Sequence, residues 1–265
     1  MGIVEIQQLT RRFKSAVAVD SLNLVVEAGE IFGLLGPNGA GKSTTIKMLT
    51  TLLPVTSGEA KIKHCYLTQD PAQVRQLIGY VPQSLSVDGS LTGYENLLMV
   101  AKLYNVPRQQ QKTRIGEALA YVALEDASRQ LVNRYSGGMI RRLEIAQALL
   151  HQPAVLFMDE PTVGLDPVAR NALWELLKKI RTQLGTTIFL TTHFMEEADY
   201  LCDRVGIMHY GRLVAMGSPN ELKSSISEPE ASLDRVFIHY TGDNLEARGN
   251  YRDISQTRST ARRLG

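Results

Sequence analysis

The stretch from Gly36 to Ser43 carries the strongest chemical signal in the sequence. It matches the pattern G-x-x-x-x-G-K-[ST], in which glycines let the backbone wrap around phosphate groups and point successive N–H groups at their oxygens. In this pattern the ammonium of Lys42 reaches the β- and γ-phosphates, and the hydroxyl of Ser43 binds Mg²⁺. The alternative is a chance glycine-rich turn before a helix, which the length of the motif disfavours. We therefore predict a nucleotide-phosphate site.

Two acidic residues, Asp159 and Glu160, end the apolar run VLFMDE. The run predicts a strand inside a sheet, and ligand chemistry in open α/β sheets gathers at the carboxyl ends of strands. Asp159 is placed to hold Mg²⁺, directly or through water, and Glu160 is placed to polarise an attacking water. A solvated helix cap would explain the same pair, but the phosphate loop upstream favours the chemical interpretation.

Two further polar residues end apolar runs of their own. His193 closes TTIFLTTH, so it is expected beside the same crevice, within reach of a γ-phosphate. Gln83 closes IGYVPQ and could reach Mg²⁺ or the nucleophilic water. A histidine at a strand end is more often structural than catalytic, and Gln83 alone carries almost no information.

The triplet Ser136-Gly137-Gly138 directly precedes an amphipathic helix. A helix N-terminus of this kind is a second anion-binding site, because its free N–H groups and dipole favour negative charge. One nucleotide needs only one such cradle. The second is explained if it caps a γ-phosphate from another subunit; taken alone, it would be an ordinary serine N-cap.

Elements that could position these residues follow from the hydrophobic pattern. Short apolar runs predict strands buried on both faces at 31–36, 78–83, 154–160 and 186–193. Helices are predicted at 43–53 and 170–180, and the region from Leu91 to Leu131 is predicted to be helical. Alternating strands and helices predict an α/β fold with a mostly parallel sheet.

Antiparallel strands are predicted at both ends of this core. Alternating patterns at Ile3–Leu9 and Leu22–Glu27 indicate one pair, and 204–217 indicates another with its turn at Tyr210-Gly211. After Gly242 the apolar content falls, so residues 243–265 are predicted to be a flexible polar tail. The stretch 61–70 has no motif that we can interpret.

Composition limits the function classes. The chain has 265 residues with a net charge of +2, which disfavours nucleic acid as a direct partner because phosphate backbones need a concentrated basic face. Cys65 and Cys202 lack metal-ligand spacing and are expected to be reduced thiols. The N-terminus lacks the features of a secretory signal, and no apolar run approaches the ~20 residues that span a bilayer.

Together the motifs resemble the ATP-binding cassette (ABC) ATPases over roughly residues 3–240. Gln83 matches the glutamine loop, Ser136-Gly137-Gly138 the signature motif, Asp159-Glu160 the Walker B end, Gly164-Leu165-Asp166 the D-loop and His193 the switch histidine. Phe13 matches the aromatic residue that stacks on adenine in this family. The YSGGM signature, with Tyr135 and Met139 in place of Leu and Gln, is similar to that of the daunorubicin-resistance type of exporter subunit.

The resemblance implies a P-loop NTPase core with an N-terminal antiparallel β subdomain and an inserted helical subdomain. The expected cassette covers 1–242, with the helical subdomain at about 84–150. Its expected ligands are ATP and Mg²⁺, with Lys42, Glu160 and His193 as catalytic residues. The nucleotide-binding residues implied are Phe13, Gly36, Pro37, Asn38, Gly39, Ala40, Gly41, Lys42, Ser43, Thr44, Gln83, Ser136, Gly137, Gly138 and Asp159, of which Ser43, Gln83 and Asp159 hold the metal.

The implied mechanism needs two kinds of partner. Two cassettes would enclose two ATP molecules, each held by one phosphate loop and the other subunit's Ser-Gly-Gly helix, with Glu160 as general base and His193 as γ-phosphate sensor. A separate membrane permease would carry out export, which places the chain peripherally on the cytoplasmic face of the cell membrane. The alternative function is a soluble ABC ATPase acting on ribosomes or DNA. An ordinary P-loop enzyme, such as a GTPase, is disfavoured because N/T-K-x-D is missing.

Overall fold

The protein is seen in a computed structural model that describes residues 2–14, 16–226 and 231–242. The predicted tail, 243–265, lies outside the described residues. The strands are β1 (Gly2–Phe13), β2 (Ala16–Glu27), β3 (Ile31–Leu35), β4 (Ser57–Ile62), β5 (Cys65–Tyr66), β6 (Ile78–Val81), β7 (Val155–Asp159), β8 (Thr187–Thr192), β9 (Arg204–His209) and β10 (Arg212–Gly217). The helices are α1 (Lys42–Leu49), α2 (Pro71–Leu77), α3 (Gly93–Leu103), α4 (Arg108–Tyr121), α5 (Gly137–Leu149), α6 (Pro167–Leu184), α7 (Met195–Leu201), α8 (Pro219–Ser224) and α9 (Leu233–Thr241).

The larger sheet places the predicted buried strands side by side. Its order is β10-β9-β3-β8-β7-β6, and β9, β3, β8, β7 and β6 run parallel, with β10 antiparallel at the edge. Every residue of β3, β7 and β8 is buried, which is the pattern expected of parallel strands covered on both faces. The carboxyl ends of β3, β8, β7 and β6 therefore lie side by side at the same end of the sheet. The predicted α/β fold with a mostly parallel sheet is confirmed.

The smaller sheet is antiparallel, in the order β2-β1-β4-β5. Ile6 faces Leu24 across the β1–β2 pair, so the predicted N-terminal antiparallel pair is present. The uninterpreted stretch 61–70 belongs to this sheet: it ends β4, forms the short β5 and leads into α2. The Asp70 carboxylate accepts a hydrogen bond from the Tyr66 backbone N at 3.2 Å, which closes the turn before α2. Residues 61–70 thus have a structural role in connecting the smaller sheet to α2.

Apolar side chains fill the space on both faces of the larger sheet. Phe32, Phe157 and Phe189 lie on one face, in a cluster with residues of the smaller sheet and α1. Leu156 and Leu190 lie on the other face, in a cluster with α5, α6 and the C-terminal helices. Two packed layers therefore hold the register of the strands whose ends carry the polar residues.

Two predicted helices have different ends in the structure. The helix predicted at 43–53 stops at Leu49, because Thr51 adopts a left-handed backbone with φ 61° and the Thr50 hydroxyl donates to the Ile46 carbonyl. The helix predicted at 170–180 is longer. It begins after Asp166, whose carboxylate accepts from the Ala169 backbone N at 2.9 Å, and ends at Gly185 in the left-handed conformation.

The helical region predicted from Leu91 to Leu131 contains two helices with an interruption and a non-helical end. α3 begins at a capping box, in which Thr92 and Glu95 satisfy each other's backbone N–H groups. Asn105 has φ 54° and Pro107 precedes α4, so the chain turns between the helices. After Tyr121 the left-handed Ala123 ends the helix, and turns occupy most of the chain up to Leu131. None of the described helices is long and apolar enough to cross a membrane.

We expect Phe189→Ala to lower the free energy of unfolding by about 3–5 kcal/mol, because the cavity would remove contacts with both neighbouring rings. The Phe189 ring centroid lies 5.3 Å from that of Phe32 and 5.4 Å from that of Phe157. Urea unfolding followed by circular dichroism measures the change. Leu103→Ala is the control: its side chain is 71% exposed, so a change within about 0.5 kcal/mol is expected. Equal losses in the two variants would contradict this account of the core.

Candidate functional site

The phosphate loop connects β3 to α1 through two glycines that have no room for a side chain. A Cβ atom on Gly36 would lie 2.3 Å from the Met208 carbonyl oxygen, and one on Gly41 would lie 2.4 Å from that of Ala18. Gly41 also has φ 107°, and Gly39 has φ 84° with open space where a Cβ would stand. The loop is therefore packed against its own protein on one side and open on the other.

Lys42, the first residue of α1, lies almost completely buried beneath the loop. Its ammonium donates to the carbonyls of Gly36 at 2.8 Å and Pro37 at 3.1 Å, and lies 3.3 Å from Glu160 Oε1. Burial lowers the pKa of Lys42, while the nearby Glu160 and Asp159 carboxylates act in the opposite direction. The ammonium is thus held at a fixed place on the floor of the loop.

Glu160 is the residue on which three predicted site residues, Lys42, Gln83 and His193, converge. Gln83 Nε2 donates to its Oε2 at 3.1 Å, and His193 Nδ1 lies 3.2 Å from its Oε1. Its backbone is left-handed, with φ 47°, a conformation that is uncommon outside glycine and often marks a functional position. Burial raises the pKa of Glu160, but the neighbouring His193 ring and the charge of Lys42 outweigh burial, so the pKa of Glu160 is lowered. The group is therefore a carboxylate at neutral pH.

Asp159 lies beside Ser43 at the end of β7. The Ser43 hydroxyl donates to Asp159 Oδ1 at 2.9 Å, and the Thr191 hydroxyl donates to the same oxygen at 2.6 Å. Thr191 also accepts a hydrogen bond from the Glu160 backbone N at 3.1 Å, so one side chain orients both acidic residues. Sequence reasoning missed Thr191; its place two residues before His193, on the strand next to β7, is the only signal.

A cavity of about 450 Å³ lies between the phosphate loop, Gln83 and Glu160, and Asp159 and His193 are not among its lining residues. Its lining is Ala18, Asn38, Gly39, Gly41, Lys42, Ser43, Thr44, Gln83 and Glu160. The residues fit a nucleotide with Mg²⁺: the glycine loop is open on this side, and the Ser43 hydroxyl and Asp159 carboxylate are the hard oxygen donors that Mg²⁺ prefers. Among the described residues, no group of three or more histidine, cysteine or acidic side chains is arranged to hold a metal ion by itself. A single carboxylate suits Mg²⁺ that is bound together with phosphates.

The Ser136-Gly137-Gly138 triplet is a separate site, outside the lining of this cavity. Ser136 caps α5, and its hydroxyl accepts from the Met139 backbone N at 3.3 Å. A Cβ on Gly138 would lie 3.0 Å from the Ala169 Cβ, so the start of α5 packs closely on α6. The triplet is therefore a capped helix start that does not line the cavity formed by the phosphate loop of its own chain.

Tyr135 and Met139, which stand in place of the Leu and Gln of the common signature, have different roles in the packing. Tyr135 is buried, and its hydroxyl donates to the Ala127 carbonyl at 2.6 Å. A Cβ on Gly93 would lie 2.4 Å from that hydroxyl, so the tyrosine fills the space between the signature and the start of α3. Met139 is partly buried against the main apolar cluster, and its backbone N–H takes part in the Ser136 cap.

Phe13 ends β1 and is 41% exposed, and it is not among the residues lining the cavity. The guanidinium carbon of Arg11 lies 4.5 Å from its ring centroid, which is a cation–π distance. Arg11 also donates to the Pro54 carbonyl, shortly after α1, at 2.8 Å. One face of the ring is therefore supported by a side chain that is anchored near the end of the phosphate-loop helix.

Comparisons with known proteins show which proteins the chain is similar to. A family model described as "ABC transporter" matches residues 19–163. The daunorubicin/doxorubicin resistance ATP-binding protein DrrA of Streptomyces peucetius is 42% identical over 244 residues, covering 92% of this chain and 73% of that protein. The Nod factor export ATP-binding protein I of Cupriavidus metallidurans is 41% identical over 245 residues, covering 92% of this chain and 78% of that protein.

A solved structure shows the same fold. It is a dimeric ATP-binding cassette in a post-hydrolysis state, bound to ADP and Pi. The TM-score is 0.73 with 27% sequence identity, over 81% of this chain and 98% of that chain.

We expect Thr191→Val to lower the free energy of unfolding by about 1.5–3 kcal/mol, because a hydrogen bond to a buried carboxylate is lost while the shape is kept. Thermal and urea unfolding measure the effect. Thr182→Val, on the exposed side of α6, is the matched control and should change stability by no more than about 0.5 kcal/mol. A Thr191 variant as stable as this control would contradict the proposed orientation of Asp159 by Thr191.

Proposed function

The chain belongs to the ABC transporter family, and on that premise we propose that it is the ATP-hydrolysing subunit that powers export through a separate membrane permease. The observation that carries this proposal is the convergence of Lys42, Gln83 and His193 on Glu160, beside an open phosphate loop. Relatives whose names refer to drug resistance and to Nod factor export support the exporter part.

ATP binding is assigned to the phosphate loop and the residues around it. The loop from Gly36 to Thr44 would cradle the phosphates at the start of α1 through backbone N–H groups such as that of Asn38, and Ala40 would help to shape the loop. Lys42 would neutralise the β- and γ-phosphates, and Phe13 would stack on adenine with Arg11 behind the ring. Ser43, Asp159 and Gln83 would hold Mg²⁺, which would stabilise negative charge on the transferring phosphoryl group.

Glu160 lines the cavity, where it can act on a water molecule that attacks the γ-phosphate. In-line attack by water forms an O–P bond to the γ-phosphorus and breaks the bond to the bridging β,γ oxygen, giving ADP and inorganic phosphate. Glu160 accepts the proton of the attacking water, which its ionised state permits. Lys42 stabilises charge on the phosphoryl oxygens, and His193, beside Glu160, holds the γ-phosphate and the carboxylate in position.

The Ser136-Gly137-Gly138 triplet is assigned to the nucleotide of a second cassette. It lies outside the cavity lined by its own phosphate loop, yet it forms a capped helix start suited to phosphate oxygens. A dimer in which each triplet faces the partner's ATP would use both features. The dimeric relative bound to ADP and Pi supports the dimer itself.

Export requires a partner that spans the membrane, because none of the described helices can do so. We place the chain peripherally, on the cytoplasmic face of the membrane, bound to a multi-span permease. The region at 84–150, which contains α3, α4 and α5, would act as a helical subdomain that transmits the nucleotide state from Gln83. Residues 1–242 would form the cassette.

Glu160→Gln should preserve ATP binding and lower kcat by about 10²–10⁴-fold, because the general base is lost. Size-exclusion chromatography with saturating MgATP should then show a dimer. Lys42→Ala should abolish tight binding, and Glu175→Gln, an exposed glutamate on α6, should behave as wild type. A monomeric Glu160→Gln protein, or full turnover by Lys42→Ala, would contradict the composite ATP site.

Affinity purification of the tagged full chain from detergent-solubilised membranes tests the exporter assignment. A multi-span membrane protein should co-purify. The Lys42→Ala variant should retain this partner, because it changes the nucleotide site and leaves the outer surface intact. Recovery of ribosomes or DNA in place of a membrane protein would overturn the assignment in favour of a soluble ABC ATPase.

A further inference from the structure

A buried ion pair on α5 lies between the two parts of the proposed ATP site. Arg141 Nη1 is 3.0 Å from Glu144 Oε2, and the two side chains are only 6% and 1% exposed. Replacing a buried ion pair with apolar side chains is often neutral or stabilising, so stability alone is a weak reason for such a pair. Its contacts outside the helix indicate another role.

Both members of the pair bind the segment that carries Gln83. Arg141 donates to the Pro82 carbonyl at 2.8 Å and to the Gln83 carbonyl at 3.3 Å. Glu144 Oε1 accepts from the backbone N of Ser86 at 2.6 Å and from its hydroxyl at 2.9 Å. In the part of the chain that the structure describes, residues 84–86 make no backbone-to-backbone hydrogen bond. The segment is therefore fixed mainly through these two side chains.

The two ends of this connection both bear residues of the proposed site. α5 begins directly after Ser136, one turn before Arg141. Gln83, held by its carbonyl, extends its side-chain amide to Glu160 at 3.1 Å. A displacement of the helix start is thus passed by hydrogen bonds to the group that touches the general base.

We propose that Arg141 and Glu144 are positioning residues that make the Ser136 helix and the Gln83 segment move as one body. Docking of the second cassette's ATP on Ser136 would then set the distance between the Gln83 amide and Glu160 in the same chain. The inference rests on the proposed function, since it assumes that the triplet and Gln83 both act in ATP hydrolysis. It adds the means by which the two are joined.

Arg142 provides a matched control on the same helix. Its guanidinium donates to two backbone carbonyls, those of Val122 at 3.0 Å and Ala123 at 3.2 Å. These carbonyls follow α4, far along the chain from Gln83. Arg142→Met therefore removes two arginine–carbonyl hydrogen bonds, as many as Arg141 makes, without touching the Gln83 segment.

The test is a double-mutant cycle on the full chain, with kcat and KM measured for MgATP. Arg141→Met/Glu144→Met avoids an unpaired buried charge and should lower kcat by about 10- to 100-fold, because Gln83 loses its position, while KM stays unchanged. Gln83→Ala should lower kcat to a similar degree. Adding it to the Met pair should cause little further loss, because both changes break one connection. Arg142→Met should keep wild-type kcat, and combining it with Gln83→Ala should give the kcat of Gln83→Ala alone.

The Met pair would disprove the positioning role if its effect multiplied with that of Gln83→Ala, if it raised KM alone, or if it left kcat unchanged. Thermal unfolding checks that each variant is folded. Should the Met pair fail to fold, Arg141→Lys replaces it: the lysine keeps a charge for Glu144 but lacks the fork that reaches both carbonyls, so the same kcat loss and the same non-additivity are expected. Failure of the proposed function itself would appear separately, as normal turnover by Lys42→Ala or Glu160→Gln.

Discussion

The Glu160 carboxylate is the group around which the polar residues at the carboxyl ends of the strands are arranged. Lys42, Gln83 and His193 each place a nitrogen 3.1–3.3 Å from it, although they come from three separate segments of the chain. A buried carboxylate needs such partners, since an unpaired charge away from water is costly. The parallel order of the larger sheet brings the three segments to one edge, and the apolar layers on both faces keep the strands in that order.

Fold class and strand positions were predictable because burial on both faces leaves a continuous apolar run, a signal that needs no knowledge of partners. The ends of helices were less predictable. Thr51 and Ala123 stop α1 and α4 in a left-handed conformation, which neither residue type favours. Only the local packing of the chain determines such a position, and the sequence shows no glycine or asparagine there to mark it.

The same division holds for the candidate site. The phosphate loop, Asp159, Glu160 and His193 stand at the ends of apolar runs, so topology alone predicts their meeting. Arg141 and Glu144 resemble surface charges of an amphipathic helix in the sequence, yet both are buried. Their partners lie about 58 residues earlier in the chain, and such contacts depend on how α5 packs against the segment after β6.

The contact between Tyr135 and Gly93 has a consequence for how this signature could have evolved. The hydroxyl of Tyr135 occupies the space that a side chain at position 93 would need, and it also satisfies the Ala127 carbonyl. Exchange of Tyr135 for the commoner leucine would leave that carbonyl without its donor and open a gap beside α3. A larger residue at position 93 would in turn exclude the tyrosine. Across related lineages, these two positions are therefore expected to change in step, 42 residues apart in sequence.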